Sequence, residues 1–186
     1  MEMDINPWKI LSEREEYDNP WIKVTEYSVL NPAGNRGIYG KVHFKNKAIG
    51  VVVLDNQMYT YLVGQYRFPI DQYSWEIPEG GCPEGSTPLE AAQRELEEET
   101  GLKALSWELL LEMHLSNSVS DEHAMVFLAW DLEPGQPSPE ETEDITIRRL
   151  PFEEAYEMVE DGLITDSLTV AALLKVKIMI DDGRIG

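Results

Sequence analysis

The sequence predicts an α+β fold or a layered α/β/α sandwich, behind an N-terminal antiparallel β extension. Three observations predict it. The first third of the chain is rich in β-branched and aromatic residues and is divided by turn signals, which is typical of antiparallel strands. Three later segments carry apolar residues at helical spacing. These helices stand between strands without the strict alternation that a βαβ fold requires.

The predicted strands are separated by clear turns. Residues 21–30 and 38–44 flank a turn at 31–35 and predict one hairpin. A second hairpin is predicted from residues 48–54 and the strand that starts at Met58. Since 48–54 is apolar on both faces, we expect it to be central in a sheet. Further strands are predicted at 106–113, 124–130 and 145–150.

The first predicted helix, residues 88–100, has local signals at both ends. Thr87 suits the N-cap, Pro88 suits the first helical position, and Glu90 completes a capping box. Gly101 suits the C-terminal cap. Two further helices are predicted, one from about Pro151 to Gly162 and one after the N-cap candidate Asp166.

Length and charge narrow the class of protein. With 186 residues, 42% of them apolar, the chain suits one compact domain with a small appendage. We expect the appendage to be a β extension over 1–45 and the main domain to cover 46–186. A net charge of −20 repels nucleic-acid backbones and anionic membranes, so we expect neither as a partner. The N-terminal residues lack the pattern of a secretory signal, and we expect a cytoplasmic location. The single cysteine, Cys82, excludes an internal disulfide framework.

The helix at 88–100 carries the candidate site. At about 100° per residue, Leu89, Ala92 and Leu96 share a face that we assign to the core. Glu95 and Glu99 lie one turn apart beside this face, and like charges at that spacing repel each other. An oxygen-ligated divalent cation such as Mg²⁺ would convert the repulsion into binding.

Two neighbours modify this interpretation. Glu98 flanks the pair, and Arg94 is placed to reach Glu90 and Glu98 while facing away from Glu95. A glycine-rich loop over 79–87 precedes the helix, and its backbone can approach a ligand closely. The alternative is an ordinary solvated acidic helix, and the position of the acids next to the core favours the metal site.

The segment from Arg94 to Leu102 resembles the second half of the Nudix box, R-E-U-x-E-E-x-G-U with U aliphatic, and Gly80 stands at the spacing of the opening glycine. Ser86 departs from the box, which has a glutamate there, so weaker support of the site is expected. The resemblance implies a Nudix α/β/α sandwich with a mixed sheet. It also implies metal ligation by Glu95, Glu99 and the backbone carbonyl of Glu79, with assistance from Glu98.

Residues 64–69 and 74–80 resemble the ADP-ribose and nucleoside-diphosphate-sugar pyrophosphatase branch of that family. The resemblance implies Mg²⁺, with Mn²⁺ as a possible substitute, and a homodimer formed through the N-terminal extension. It implies that Arg67 binds the phosphates, as a guanidinium fork suits their oxygens, and the alternative for Arg67 is a salt bridge at a strand end. Trp21 matches the region where branch members stack the base, and the alternative for Trp21 is a core or interface residue.

The acidic segment 139–145 resembles the loop that supplies the general base in this branch. The resemblance places the base at Glu141, with Glu140 as the alternative if the register shifts, and a further metal-facing acid at Glu143. The expected reaction is hydrolysis of the pyrophosphate bond of ADP-ribose or a related nucleoside diphosphate sugar. Two alternatives stay open, a different substrate such as GDP-mannose or a dinucleoside polyphosphate, and a non-catalytic module that binds a nucleotide sugar.

Overall fold

The computed structural model describes residues 5–138 and 144–185, so the predicted base candidates Glu140 and Glu141 and the predicted ligand Glu143 lie outside the described residues. The chain divides into two compact units. One comprises residues 1–46 and 114–122, and the other comprises 47–113 and 123–186. The predicted domain boundary between residues 45 and 46 stays a prediction.

The first unit is an antiparallel three-stranded sheet. Its strands are β1 (Lys9–Asp18), β2 (Ile22–Leu30) and β3 (Arg36–Phe44), in the order β1-β2-β3. The turn between β2 and β3 lies where the sequence predicts it, with Asn31 Oδ1 accepting a hydrogen bond from Asn35 N at 2.9 Å. Strand β1 is exposed along its whole length and forms an edge of this sheet.

Asp121 ties the segment 114–122 to β3 within the same unit. Its Oδ2 lies 2.7 Å from Lys41 Nζ and 2.8 Å from His43 Nδ1, and its Oδ1 accepts from Phe44 N at 3.1 Å. Burial alone would raise the pKa of Asp121, but the hydrogen bonds from Lys41 and His43 outweigh it and lower the pKa to about 2. His43 thus has an acidic partner within its own unit.

The second unit contains two sheets and three α-helices among its described residues. A four-stranded mixed sheet has the order β7-β4-β9-β8, with β4 parallel to β9, and a three-stranded sheet has the order β10-β5-β6. The strands are β4 (Lys47–Val53), β5 (Tyr59–Arg67), β6 (Gln72–Glu76), β7 (Glu79–Cys82), β8 (Leu102–His114), β9 (His123–Pro134) and β10 (Thr146–Pro151). The helices are α1 (Pro88–Thr100), α2 (Phe152–Glu160) and α3 (Ser167–Asp181).

Strand β4 lies between two helical layers. Ile49, Val51 and Val53 are fully buried in one cluster with Leu96 of α1. Gly50 points the other way, where a Cβ would lie 3.4 Å from Leu168 Cδ2 of α3. Because successive residues of a strand face opposite sides, α1 and α3 cover opposite faces of the mixed sheet. The predicted α/β/α sandwich is confirmed, and so is the central position of β4.

Two local predictions are wrong. Strands β4 and β5 do not form a hairpin but lie in different sheets, because β7 and β9 occupy both edges of β4. The predicted glycine-rich loop begins as strand β7, in which Gly80 pairs with Ile49 and Gly81 with Ala48. The helix bounds and caps of α1 are confirmed, including the capping box between Thr87 and Glu90.

Within 5–138 and 144–185, no helix has the length and apolar character needed to cross a membrane.

Candidate functional site

The site begins where α1 lies against the backbone of β7. The carboxylate of Glu95 occupies the space beside Gly80, where an added Cβ would lie only 2.2 Å from Glu95 Cδ. Glu99 Oε2 accepts a hydrogen bond from Glu79 N at 2.9 Å. Glu95 is 9% exposed and Glu99 is 2% exposed. Two carboxylates of one helix are therefore buried at the start of the neighbouring strand.

The buried face of α1 is rotated from the predicted one. It comprises Ala91, Ala92, Glu95, Leu96 and Glu99, whereas the predicted core residue Leu89 is 38% exposed. The two glutamates thus lie within the buried face rather than beside it.

Arg94 is the cation nearest to this face of the helix among the ion pairs formed by the described residues. It forms an ion pair with Glu95, lies 3.3 Å from Glu98 Oε2 and donates to the Gly81 carbonyl at 2.8 Å. The expectation that Arg94 faces away from Glu95 is wrong, because its long side chain reaches the backbone of β7. Glu90 is instead engaged in the capping box.

Arg67, at the end of β5, lies between two glutamates. Its Nη2 is 2.5 Å from Glu76 Oε2 and 2.6 Å from Glu79 Oε1, and its Nε also donates to Glu76 at 3.0 Å. Burial alone would lower the pKa of Arg67, but the hydrogen bond and charge of Glu76 and the charge of Glu79 raise it above its usual value. The Arg67 side chain is 36% exposed, so a ligand can reach it.

A third carboxylate, Asp166, joins this group. Oxygen atoms of Glu76, Glu79 and Asp166 lie within 4.8 Å of one another. Burial, together with the charges of Asp166 and Glu76, raises the pKa of Glu79 well above its usual value, although Arg67 opposes the shift. The sequence marks Asp166 only as a helix-cap candidate and does not single out Glu76, since only the fold brings them to Glu79.

The carboxylates of Glu76, Glu79 and Asp166 form one set of oxygen donors that fits a divalent cation. Glu79 Oε2 is buried and has no hydrogen-bond partner among the described residues, and a buried carboxylate oxygen of this kind needs a proton or a cation. Carboxylate and carbonyl oxygens are the ligands that Mg²⁺ and Mn²⁺ prefer. A second group of carboxylate oxygens lies next to it, because Glu99 accepts from Glu79 N and the Glu95 carboxylate lies beside Gly80.

The other predicted residues among the described ones lie outside this group of buried carboxylates. Glu98 is on α1 beside Arg94, and its side chain is 34% exposed. Trp21 belongs to the first unit, directly before β2, and is 67% exposed, so it is not a core residue of that unit. Ser86, which replaces a glutamate of the box, is exposed in the turn before α1.

Helix glutamates that are buried against a glycine-bearing strand, beside an arginine, are compatible with metal-assisted chemistry on phosphates. A family model described as NUDIX domain matches residues 44–169, and one described as nucleoside diphosphate sugar hydrolase N-terminal domain matches residues 8–42. The chain belongs to the Nudix family, as its sequence predicts.

Relatives and a solved structure agree with this membership. An ADP-ribose pyrophosphatase of Mycobacterium tuberculosis is 36% identical over 132 residues, which cover 69% of this chain and 64% of that protein. The chain thus spans slightly less than two thirds of that relative. An ADP-ribose pyrophosphatase of Bacillus subtilis is 31% identical over 128 residues, covering 68% of this chain and 69% of that protein. A crystal structure of an ADP compounds hydrolase shares the fold, with a TM-score of 0.86 at 22% identity over 97% of this chain and 98% of that one.

The space beside Gly80 gives a testable prediction. In G80A the new Cβ would displace the Glu95 carboxylate, which is the mobile end of a side chain, so the site should be disturbed more than the fold. We expect Mn²⁺ affinity to fall at least about tenfold, a loss of roughly 1.4 kcal/mol, while the thermal midpoint changes little. Titration calorimetry and thermal unfolding check this.

The matched control for G80A is G40A, because a Cβ at Gly40 would meet no atom within 4 Å. G40A should retain the Mn²⁺ affinity of the wild type. Equal Mn²⁺ affinities in G80A and the wild type would contradict the assignment of Glu95.

Proposed function

We propose that the chain hydrolyses the pyrophosphate bond of ADP-ribose or a related nucleoside diphosphate sugar, giving a nucleoside monophosphate and a sugar phosphate. The observation that carries the proposal is the burial of Glu95 and Glu99 against β7, within the same fold unit as the half-exposed Arg67. The names of the mycobacterial and Bacillus relatives support ADP-ribose as the first substrate to test.

Mg²⁺ is the proposed metal, and Mn²⁺ is its proposed substitute. Glu95, Glu99 and the carbonyl of Glu79 would hold it, with Glu143 as a further ligand and Glu98 as a helper. When bound, the metal polarises the phosphate oxygens and offsets the charge of the leaving group. The buried site suits this task because charges interact more strongly where water is excluded.

Arg67 is the proposed phosphate ligand. Because Nε and Nη2 donate to Glu76 and Glu79, Nη1 is the nitrogen that remains to donate to a phosphate oxygen. Glu76 and Glu79 hold it in place through hydrogen bonds of 2.5 to 3.0 Å. This pre-positioning reduces the entropy that is lost when the substrate binds.

The proposed general base is Glu141, with Glu140 as the alternative. The base takes the proton of the attacking water, a role that contributes about 10²- to 10⁴-fold to the rate. Trp21 is the proposed stacking residue for the nucleotide base. Its exposure leaves the indole face open to a ligand or to a partner subunit.

We also propose that the protein acts as a homodimer through its N-terminal sheet. A ten-residue exposed edge strand such as β1 is normally covered or paired in a native protein. The sheet also exposes large apolar side chains, which mark interaction surfaces. They include Ile10 (64%), Tyr17 (55%), Trp21 (67%) and Ile38 (72%).

Light scattering coupled to size exclusion checks this assembly. We expect twice the chain mass of 21.2 kDa. We also expect I10E, which places a charge on the exposed edge strand, to lower the mass toward that of one chain. A monomeric wild type at micromolar concentration would contradict the dimer.

A coupled phosphatase assay tests the proposed reaction. The purified protein is incubated with ADP-ribose, GDP-mannose, UDP-glucose and a dinucleoside polyphosphate, each with and without Mg²⁺, and phosphate is measured. We expect Mg²⁺-dependent release that is fastest from ADP-ribose. If phosphate is released fastest from another compound, the proposed reaction stands and its substrate changes. If the protein binds a nucleotide sugar but releases no phosphate, the result supports the non-catalytic module.

Variants in the same assay test the assigned roles. E95Q and E99Q should abolish turnover while the fold persists, because glutamine keeps the shape and removes the charge. E141Q should lower kcat by about 10²-fold or more, and E140Q tests the alternative base. Full activity in E95Q or E99Q would contradict the metal site. A loss of activity in E140Q but not in E141Q would assign the general base to Glu140 instead of Glu141.

A further inference from the structure

A buried hydroxyl connects α3 to the turn between β6 and β7. Thr169 is 0% exposed, and its Oγ1 accepts a hydrogen bond from Ile77 N at 3.0 Å. The same hydroxyl donates to Asp166 Oδ2 at 2.9 Å. Asp166 Oδ2 also accepts from Thr169 N at 2.8 Å, so the carboxylate caps α3 and orients the hydroxyl at the same time.

Among the described residues, two backbone hydrogen bonds join this turn to other elements, and Thr169 accepts one of them. Strand β6 ends at Glu76 and β7 begins at Glu79, which leaves Ile77 and Pro78 between the two strands. Pro78 has no N–H, and its carbonyl accepts from Val51 N at 2.9 Å. Ile77 is fully buried, so its N–H must find a protein partner, and Thr169 supplies it.

The two residues that flank the turn carry the charged group around Arg67. Glu76 precedes Ile77 and forms the bidentate pair with Arg67. Glu79 follows Pro78, forms the second ion pair with Arg67 and donates its backbone N–H to Glu99. A shift of the Ile77 backbone would therefore move both the phosphate ligand and the strand against which the helix glutamates are buried.

We propose that Thr169 is a positioning residue of the site, acting through Ile77, with Asp166 fixing the direction of its hydroxyl. The inference deepens the proposed function and rests on it. The hydroxyl holds Glu76 and Glu79 at the spacing that Arg67 and the metal require. It touches neither substrate nor metal.

The chain offers a matched control at Thr60. This residue is also 0% exposed, but its Oγ1 has no hydrogen-bond partner among the described residues. Replacement by valine therefore removes the same atom at both positions, and only at Thr169 does it leave a buried N–H without its partner.

The experiment compares T169V, T169S and T60V. Mn²⁺ affinity is measured by electron paramagnetic resonance without substrate, and kcat, KM and the Mg²⁺ concentration for half-maximal rate are measured with ADP-ribose. We expect T169V to weaken Mn²⁺ binding and to raise KM by about tenfold each. T169S should stay within about twofold of the wild type because it keeps the hydroxyl, and T60V should match the wild type.

A T169V protein that only unfolds at lower temperature, with wild-type Mn²⁺ affinity and KM, would overturn the proposal. T169A is the second variant if T169V does not fold. If neither variant folds, Thr169 serves the stability of the core alone, and the proposal is overturned. If the wild type binds Mn²⁺ but releases no product, the proposed function fails, and the Mn²⁺ affinities of the variants still decide the role of Thr169.

Discussion

The close contact between α1 and β7 is the constraint on which the site depends. The carboxylate of Glu95 occupies the space where a side chain at position 80 would lie, and Glu99 accepts the backbone N–H of Glu79. Burial of a carboxylate costs several kcal/mol unless hydrogen bonds or opposite charges compensate. Arg94 and the backbone of β7 provide part of this compensation, and a divalent cation is proposed to provide the rest.

The charged group around Arg67 also needs compensation for its burial. One guanidinium lies among three carboxylates, those of Glu76, Glu79 and Asp166. Burial, together with the charges of Asp166 and Glu76, raises the pKa of Glu79. Such a group keeps its geometry only when the backbone that bears it is fixed. The hydrogen bond from Ile77 N to Thr169 Oγ1 is one contact that fixes this backbone. Through it, the start of α3 helps to position the site together with α1 and β7.

Local signals predicted α1 well, since its caps lie within a few residues of its ends and need no tertiary contact. They predicted β7 poorly, because two glycines favour a loop until pairing with β4 decides the conformation. Leu89 was misassigned since the buried face is rotated toward Ala91. The group formed by Glu76 and Asp166 is separated by ninety positions in sequence, so only the tertiary fold brings it together.

The position of the metal is the central claim, and one diffraction measurement tests it directly. Crystals grown with Mn²⁺ should show an anomalous peak bounded by carboxylate oxygens of Glu95 and Glu99 and the carbonyl of Glu79, at about 2.1–2.3 Å from each. A peak confined to Glu76, Glu79 and Asp166, or no peak at saturating Mn²⁺, would contradict the account.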